Sequence, residues 1–203
     1  MENVKKPLSH RQRQALATQQ LIVDAARELF LEQGYGTTTI DAISAKAGVD
    51  VSNVYAIYKN KRGILKAIRE AWHQESGQRD IYQEASAQSD PARWLELAAH
   101  ATRRQWETGA ALTTIYDSAA AVDAEAAAEH HAALAGRRTN LGRLVRESPL
   151  VGRSMWNVDQ IVAIFLALTK AEIYQELVDV SGWSPDAYES WLATILKQQL
   201  LSE

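Results

Sequence analysis

The chain has 203 residues, contains no cysteine and carries a formal net charge of −3 at neutral pH. This length suits one or two domains with a substantial buried core, and the missing cysteines exclude disulfide bonds and thiol chemistry. No apolar run approaches the ~18 residues that a membrane span requires, and segment 1–20 is too polar for a signal peptide. We therefore expect a cytoplasmic protein.

Charge is divided unevenly along the sequence. Residues 1–62 hold nine Lys or Arg and six Asp or Glu, a net +3, whereas residues 63–203 hold thirteen and nineteen, a net −6. We interpret these two parts as separate domains. A basic arm precedes the first predicted helix, at Lys5, Lys6, Arg11 and Arg13. Such an arm could follow a DNA backbone or enter its minor groove, although the two lysines fit a solvated tail equally well.

Residues 18–47 predict two amphipathic helices separated near Gly34. Apolar residues three, four and seven positions apart lie on one face of a helix. These stripes consist of Ile22, Ala25, Ala26, Leu29 and Phe30 in the first helix and of Ile40, Ile43 and Ala47 in the second.

A tight turn follows at Gly48, where the left-handed conformation that often ends a helix costs glycine little. Asp50 is a ready N-cap for a short helix over 51–58, and Asn60 can cap another that begins near Lys61. Two short helices joined by a tight turn, with basic residues just after the second, are typical of a helix-turn-helix. In that motif the second helix enters the DNA major groove and the first crosses the backbone.

This segment resembles the DNA-binding domain of TetR-type (TetR/AcrR) transcriptional regulators over about residues 18–68. The positions that match the family pattern are Thr38, Thr39, Ile40, Ile43, Ala47, Gly48, Val49, Tyr55, Asn60, Lys61 and Leu65. The sequence departs from it at Asp50, Ser52, Asn53, Ile57 and Tyr58. Ile57 replaces a frequent histidine and cannot hydrogen-bond a phosphate. We interpret these departures as changing the operator sequence rather than the fold.

The resemblance implies that the helix over 51–58 contacts DNA. Ser52 and Asn53 are predicted to read base edges, because both side chains can hydrogen-bond there. Phosphate contacts position a protein without specifying sequence, and Tyr55 could instead stack inside the domain. The complete predicted DNA-binding set is Arg11, Thr38, Thr39, Val51, Ser52, Asn53, Tyr55, Ala56, Lys59 and Lys61.

The remaining chain predicts helices punctuated by glycine and proline. A connecting helix continues to about Gly77, and Asp90 followed by Pro91 opens the next one. Further helices are predicted over 91–108, 112–120, 123–146 and 158–180, with a last one from 185. No strand pattern appears, so the fold class is all-α: an N-terminal three-helix helix-turn-helix domain followed by a C-terminal helical domain for effector binding and dimerisation.

The last two predicted helices indicate a homodimer. Segment 158–180 is apolar nearly all round, and the final helix carries an apolar stripe, so together they exceed what one subunit can bury. Helix-turn-helix proteins usually read two half-sites as two-fold dimers, and the resemblance implies that these helices pair as a four-helix bundle. Both helices could instead be ordinary core. The predicted interface is Phe165, Tyr188, Trp191, Leu192, Ile195 and Leu196.

The resemblance also implies a pocket for a small-molecule effector, enclosed by the helices between about Arg93 and Tyr174. Such pockets are mainly apolar with a few placed polar groups, although aromatic residues at helical spacing are also typical of a core. Arg103, Arg104 or His100 could add a preference for an anionic group. The predicted lining residues are Trp94, His100, Arg103, Trp106, Tyr116, Asn140, Phe165 and Thr169.

Catalytic and metal-binding signals are poor. His130 and His131 are adjacent and point in different directions on a helix, and the P-loop, GxGxxG, GxSxG and HExxH motifs do not occur. We expect no catalysis, no metal and no cofactor. The resulting hypothesis is a repressor that a small-molecule effector releases from a palindromic operator. The alternatives are a small helical enzyme, an adaptor that uses the helix-turn-helix to bind protein, and a nucleoid-type DNA binder.

Overall fold

The computed structural model describes residues 9–201, so Lys5 and Lys6 of the basic arm lie outside the described residues. Within that range the chain is helical without strands, which confirms the all-α fold class. None of its helices is both long and apolar enough to span a lipid bilayer. The helices are α1 His10–Gln33, α2 Ile40–Ala47, α3 Val51–Tyr58, α4 Lys61–Glu75, α5 Gln78–Ser86, α6 Pro91–Gly109, α7 Leu112–Val122, α8 Ala124–Arg146, α9 Val158–Leu168, α10 Ala171–Tyr174, a π-helical turn Gln175–Val180, and α11 Pro185–Leu200.

Side-chain caps begin the short helices of the N-terminal region. The carboxylate of Asp50 accepts from the backbone N–H of Ser52 at 2.8 Å, and the Asn60 side chain accepts from the N–H of Gly63 at 3.0 Å. Gly48 ends α2 with a left-handed φ of 66°. These contacts satisfy backbone groups that have no partner within a helix, and they confirm the two N-caps and the glycine turn expected from the sequence.

A small apolar core joins α1 to α4. Ile22, Phe30, Ile43 and Val54 are all buried in it. We call residues 9–62 the head and residues 63–201 the body. The expected boundary between them falls inside α4, so the two regions share one continuous helix.

The connection from α3 to α4 is unusually tight. Lys59 has a φ of 65°, the one positive φ among the non-glycine residues from 9 to 201. The N–H of Asn60 donates to the carbonyl of Tyr58 at 2.7 Å, which closes a three-residue turn of the rare, strained kind. A Cβ on Gly63 would overlap with the same carbonyl oxygen. Glycine therefore lets α4 start directly against the end of α3.

The body is organised around α6, which packs against α4, α5, α10 and α11. Trp94, Leu95, Ile115 and Tyr188 are among its fully buried side chains. Trp72 brings α4 into this core, because its indole N–H donates to the carbonyl of Gln105 at 2.8 Å. The C-terminal end of α4 is thus fixed within the body.

Two elements of the body differ from the sequence expectation. The structure adds α5, Gln78–Ser86, where no helix is predicted, and it interrupts the predicted helix over 158–180 after Leu168. At this break the hydroxyl of Thr169 donates to the carbonyl of Phe165 at 2.8 Å. Such side-chain bonds compete with the helical backbone pattern, and the chain resumes as α10 and a π-helical turn.

Candidate DNA-binding surface and effector cavity

The surface of α3 presents a polar face to solvent. Ser52, Asn53, Tyr55 and Ala56 are exposed, whereas Val54 is fully buried and holds the helix on the head. The Asn53 side chain makes no hydrogen bond within residues 9–201, and the Ser52 hydroxyl donates to Asp50. Asn53 therefore offers both amide functions outward, while Ser52 offers chiefly its oxygen.

The predicted DNA-binding residues do not all share this surface. Arg11 is exposed in the first turn of α1, and Lys59 is exposed beyond α3. Thr39 is exposed, and its hydroxyl caps α2 by accepting from the N–H of Ala42 at 3.1 Å. Val51 is half-buried and packs against the head core. The structure thus brings the α3 residues together and leaves the others around them.

The placements of Thr38 and Lys61 require a correction. Thr38 is 1% exposed, and its hydroxyl donates to the carbonyl of Gly34 at 2.8 Å, so the side chain holds the turn before α2 instead of facing DNA. The ammonium of Lys61 donates to the carbonyl of Tyr35 at 2.7 Å and lies 4.5 Å from that ring's centre. Burial lowers the pKa of Lys61. The main role of Lys61 in this structure is therefore to connect the start of α4 to the turn between α1 and α2.

A polar cluster joins the head to the body where α7 meets α8. The hydroxyl of Tyr35 donates to the Asp123 carboxylate at 3.2 Å, and the Arg62 guanidinium lies 3.4 Å from Asp123 and 2.6 Å from Glu125. We call these four residues the Asp123 latch. Its central carboxylate also caps α8 by accepting from the N–H of Ala126 at 3.2 Å.

The latch favours an ionised Asp123. The backbone N–H of Ala126 lowers the pKa of this carboxyl, with further contributions from Tyr35 and Arg62. Burial, followed by the charge of Asp123, raises the pKa of Tyr35 to about 12. At neutral pH the latch is therefore a carboxylate held by a phenol, a guanidinium and a helix start, and it ties the beginning of α8 to the head.

A large open cavity lies between α4, α5, α6, α7, α8 and α9. Its volume is about 1030 Å³. Because its walls come from six helices, including the shared α4 and the latched α8, a molecule bound there would touch both connections to the head. Its aromatic wall consists of Trp72, Tyr82, Trp106, Tyr116 and Phe165.

A buried polar junction lies at one wall of the cavity. Arg137 donates to the carbonyl and hydroxyl of Thr169 at 3.2 and 3.1 Å, and its guanidinium lies 5.5 Å from the ring centre of Trp106. The indole N–H of Trp106 donates to the same carbonyl at 3.1 Å. The carbonyl that the break after α9 frees is thereby satisfied by two cavity residues.

Tyr116 and His130 form a second polar feature of the wall. Their rings stack with centres 5.7 Å apart, and the His130 ring lies 3.8 Å from the Asp117 carboxylate. The Tyr116 hydroxyl is buried without a hydrogen-bond partner in the described structure. Burial raises the pKa of Tyr116 and lowers that of His130. Both groups are therefore neutral at physiological pH, with one donor left unused.

The structure brings half of the predicted pocket residues together. Trp106, Tyr116, Asn140 and Phe165 line the cavity, whereas Thr169 lies behind its wall and contacts it through Arg137. Residues that sequence reasoning missed include Tyr82 on α5 and Arg69 on α4. The helical spacing of Arg69 beside the apolar stripe of α4 is the one sequence signal that could have pointed to it.

Three of the predicted pocket residues require a correction. Trp94 is core on α6 and does not line the cavity. His100 lies in a separate surface groove, 2.9 Å from the Glu189 carboxylate. Arg103 is ion-paired with Glu107 and Asp186, each at 3.2 Å. The spacing of these residues on α6 predicts which helix they occupy but not which neighbour that face meets.

The predicted dimer contacts also divide into two groups. Tyr188, Leu192 and Leu196 are fully buried within one subunit, where α11 packs against α6, and Phe165 is a cavity residue. This corrects their assignment as contacts with a second copy. Trp191 and Ile195 are half-exposed on the other side of the same helix. An apolar stripe shows which face of α11 is buried but does not identify its partner.

The described residues hold no group of three or more His, Asp or Glu side chains arranged to bind a metal ion. A cluster of acidic and basic residues on α6 and α11 is instead satisfied by ion pairs, such as Lys197 with Glu96 at 2.6 Å. The ionisable side chains that line the cavity are mostly basic, with Glu129 as the one carboxylate among the described residues.

Comparison with known proteins places the head in a family. Residues 22–68 match the family model described as bacterial regulatory proteins, tetR family. The TetC protein of transposon Tn10 from Escherichia coli is 42% identical over 59 residues, 29% of this chain and 30% of that protein. The transcriptional regulator SrpR of Pseudomonas putida is 42% identical over 55 residues, 27% of this chain and 26% of that one. The matched segment thus spans less than a third of each of these relatives.

Solved structures extend the likeness to the body. NalD, the secondary repressor of the MexAB-OprM multidrug efflux pump in Pseudomonas aeruginosa, has a TM-score of 0.73 at 20% identity, covering 94% of this chain and 99% of that one. The regulator FadR of Bacillus subtilis, solved with stearoyl-CoA, has a TM-score of 0.63 at 17% identity, covering 87% and 96%. At these identities the likeness shows the fold alone. Residues 22–68 thus match the tetR family of bacterial regulatory proteins in sequence, and the whole chain shares its fold with NalD and FadR.

Proposed function

We propose that this protein is a ligand-responsive transcriptional regulator, a repressor that binds a palindromic operator and is released from it by a small-molecule effector. The observation that carries the proposal is the family match over residues 22–68, which covers α2 and α3. The exposed face of α3 carries Ser52 and Asn53, which could meet base edges if this helix enters the major groove.

The proposed DNA contacts follow from the exposed positions. Asn53 is the main base reader, because its amide is free and can pair with a base edge in the major groove. Tyr55, Arg11 and Lys59 surround it as candidates for phosphate contact. Phosphate contacts provide affinity that depends on salt, whereas base contacts provide specificity.

The cavity supports the effector part of the proposal. Its volume of about 1030 Å³ lies at the upper end of the ~300–1,000 Å³ range of ligand sites. Proteins of similar fold have been solved with stearoyl-CoA and with choline. We infer that this cavity binds a small molecule without transforming it.

Two connections could carry the signal from the cavity to the head. Helix α4 lines the cavity with Trp72 and His73 and starts against α3 at Gly63. Helix α8 lines it with His130 and begins at the Asp123 latch. An effector shifts the equilibrium only if it binds one arrangement of these elements better than the other.

We also propose that the protein acts as a homodimer in the cytoplasm, where its operator would be accessible. The exposed parts of α9 and α11, including Trp191 and Ile195, are the surfaces for a second copy. Two-fold assembly would place one α3 in each half-site of a palindrome.

The test begins with selection of bound fragments from genomic DNA, followed by binding measurements across a salt series. A specific regulator should enrich one palindromic motif, with an affinity that falls steeply as salt rises. An adaptor that uses the head to bind protein should enrich no motif and show weak, salt-insensitive association. A nucleoid-type binder should bind tightly but without sequence preference, which would equally contradict the proposal.

A further inference from the structure

We propose that the cavity selects an anionic, amphipathic effector, with its acidic group held at Arg137 and its apolar part against the aromatic wall. The ligand's role as an effector rests on the proposed function, whereas the preference for an anion depends only on the residues that line the cavity. Five permanently basic side chains line the space, and among the described residues Glu129 is the one carboxylate that does so. The five are Lys66, Arg69, Arg79, Arg137 and Arg143.

Partners outside the cavity neutralise only two of these cations. Arg79 lies 3.5 Å from Glu70, and Arg143 lies 3.2 Å from Glu147. Lys66, Arg69 and Arg137 form no ion pair within the described part of the chain. The cavity therefore keeps an excess of positive charge that no neighbouring carboxylate balances.

Arg137 is partly buried and has only neutral partners. It is enclosed by the ring of Trp106 and by its bonds to Thr169, both of which are neutral partners. Burial lowers the pKa of this guanidinium. A buried charge that has hydrogen bonds but no counter-ion stays costly. A carboxylate, sulfonate or phosphate at this point would relieve that cost and gain charge-assisted hydrogen bonds.

Arg69 adds a second positive charge beside an unused donor. The charge of Arg69 acts on both Tyr116 and His130, which places it near their stacked rings. Tyr116 is 6% exposed, and its hydroxyl has no partner. An anion held by Arg137 and Arg69 would therefore face two cations and the unpaired hydroxyl of Tyr116. Glu129 is the one carboxylate among the described residues that line the cavity.

The remaining wall of the cavity is suited to the apolar part of a ligand. Trp72, Tyr82, Trp106 and Phe165 supply aromatic surface, and Leu141 supplies aliphatic surface. Aromatic groups contribute large apolar area on burial. The cavity therefore matches a molecule that is charged at one end and apolar over the rest of its length.

The test uses the full-length protein without DNA and two sets of matched probes. One set is naphthoate, naphthamide and naphthylmethylammonium; the other is dodecanoate, dodecanamide and dodecylammonium. Calorimetric titration should show that at least one carboxylate binds about 10- to 100-fold more tightly than its amide, with the ammonium the weakest. Equal or tighter binding of an amide or ammonium, or no binding of either carboxylate, would overturn the proposal.

Variants locate the anion. Arg137→Gln and Arg69→Gln should each weaken carboxylate binding about tenfold while leaving amide binding unchanged. Arg138→Gln is the matched control, because Arg138 is the exposed neighbour of Arg137 on α8 and does not line the cavity. If Arg137→Gln does not fold, Arg137→Lys and Arg69→Gln decide the question. Unchanged carboxylate affinity in the folded variants would contradict the assignment.

Operator binding separates the two proposals. A carboxylate that binds the cavity tightly but leaves the operator bound would preserve the anion preference and contradict its role as effector. A cationic compound that releases the operator would preserve the regulator and overturn the anion preference. Release of the operator by a carboxylate, lost in Arg69→Gln and retained in Arg138→Gln, is the expected result.

Discussion

The head and the body of this protein differ in how their structures are specified. The helix boundaries of the head are set by local signals: Asp50 and Asn60 cap its helices within three residues, and Gly48 turns the chain. The body is held by pairs that are far apart in sequence, such as Trp106 with Thr169 and Gln175 with Ala110. The two regions therefore differ in how much one sequence can reveal about them.

The comparison with known proteins follows the same division. The family match by sequence lies mainly in the head, whereas NalD and FadR match nearly the whole chain in fold at 20% and 17% identity. A DNA-reading surface constrains many adjacent residues at once. A helical body keeps its fold as long as apolar faces remain paired, and the choice of ligand then rests on a few side chains. Changes in the body should accordingly be tolerated more often, and be more specific in effect, than changes in the head.

The largest effect expected is that of Ile195→Glu on α11. Ile195 is half-exposed, so a subunit should still fold, but a buried carboxylate would oppose dimerisation. Loss of two-site binding should weaken operator affinity by about 10²- to 10⁴-fold. Sedimentation and operator titration measure both outcomes. Val151→Glu, at an exposed loop position of the body, is the control and should remain dimeric; a dimeric Ile195→Glu protein would contradict the proposed surface.

Gly63→Ala tests how tightly the head is built. The added Cβ would overlap with the carbonyl oxygen of Tyr58, and a backbone atom cannot move aside as a side chain can. We expect a loss of about 3 kcal/mol in the free energy of unfolding, measured with urea. Gly136→Ala is the matched control within α8, where a Cβ meets no atom within 4 Å; it should stabilise by about 0.5–1 kcal/mol. Equal behaviour of the two variants would disprove the close approach.

Asn53→Ala tests whether Asn53 determines which operator sequence is bound or only adds affinity for DNA of any sequence. Loss of a base contact should change the preferred base at one operator position, with ~1–3 kcal/mol at stake. Arg11→Ala should instead weaken all sequences alike and reduce the salt slope by about one. Selection of bound fragments for each variant provides the measurement. An unchanged motif for Asn53→Ala would show that another residue reads the operator.

Asp123→Asn tests the link between the regions with the smallest change. Asparagine still caps α8, but the charge that holds Arg62 is lost. Both side chains are partly exposed, at 22% and 30%, so the stability change should stay below about 1 kcal/mol. The larger loss should appear in the coupling between effector and operator. Glu125→Gln, at a more exposed partner of the same arginine, is the control; if it reduces the coupling equally, Asp123 has no special role.

The latch also predicts a dependence on acid. The pKa of Asp123 in the folded protein lies below its ordinary value of 3.8. Its contribution to stability is therefore complete at neutral pH and is lost as the pH falls through that value towards the folded pKa. The stabilities of the wild type and Asp123→Asn in urea unfolding should begin to converge below about pH 4 and coincide only below the folded pKa of Asp123. A difference that persists unchanged in acid would show that the charge is not involved.

Sequence reasoning predicted the head closely because its caps and turns are local. It could not predict that Thr38 faces inward, since a threonine before a helix serves equally as cap, turn or ligand. In the body, α5 was missed because Ala85 is its one buried residue and Gly77 reads as a boundary. The break at Thr169 was hidden in an apolar run, as nothing local distinguishes a helix that continues from one whose carbonyl meets a distant arginine.

The sequence could not show which residues line the cavity, for a related reason. Trp94 and Trp106 occupy the same helix, yet one is core and the other lines the cavity. The difference depends on which neighbours approach each face, and that is decided by contacts between distant segments. The positive charges of the cavity lining, above all Arg69 and Arg137, come together only when α4, α5 and α8 are placed side by side.

Helix α4 could transmit a tilt from the body to the head, because both regions share it. Its 15 residues form a rod of about 22 Å, anchored in the body at Trp72 and pressed against α3 at Gly63. Trp72 and Gly63 are nine residues apart on this helix, a distance of about 14 Å, so a tilt of about 10° at the anchor would displace the start of α4 by roughly 2 Å. One base-pair step of DNA is about 3.4 Å. In the proposed regulator, a tilt of this size would shift the start of α4, and with it α3, by about two thirds of one base-pair step.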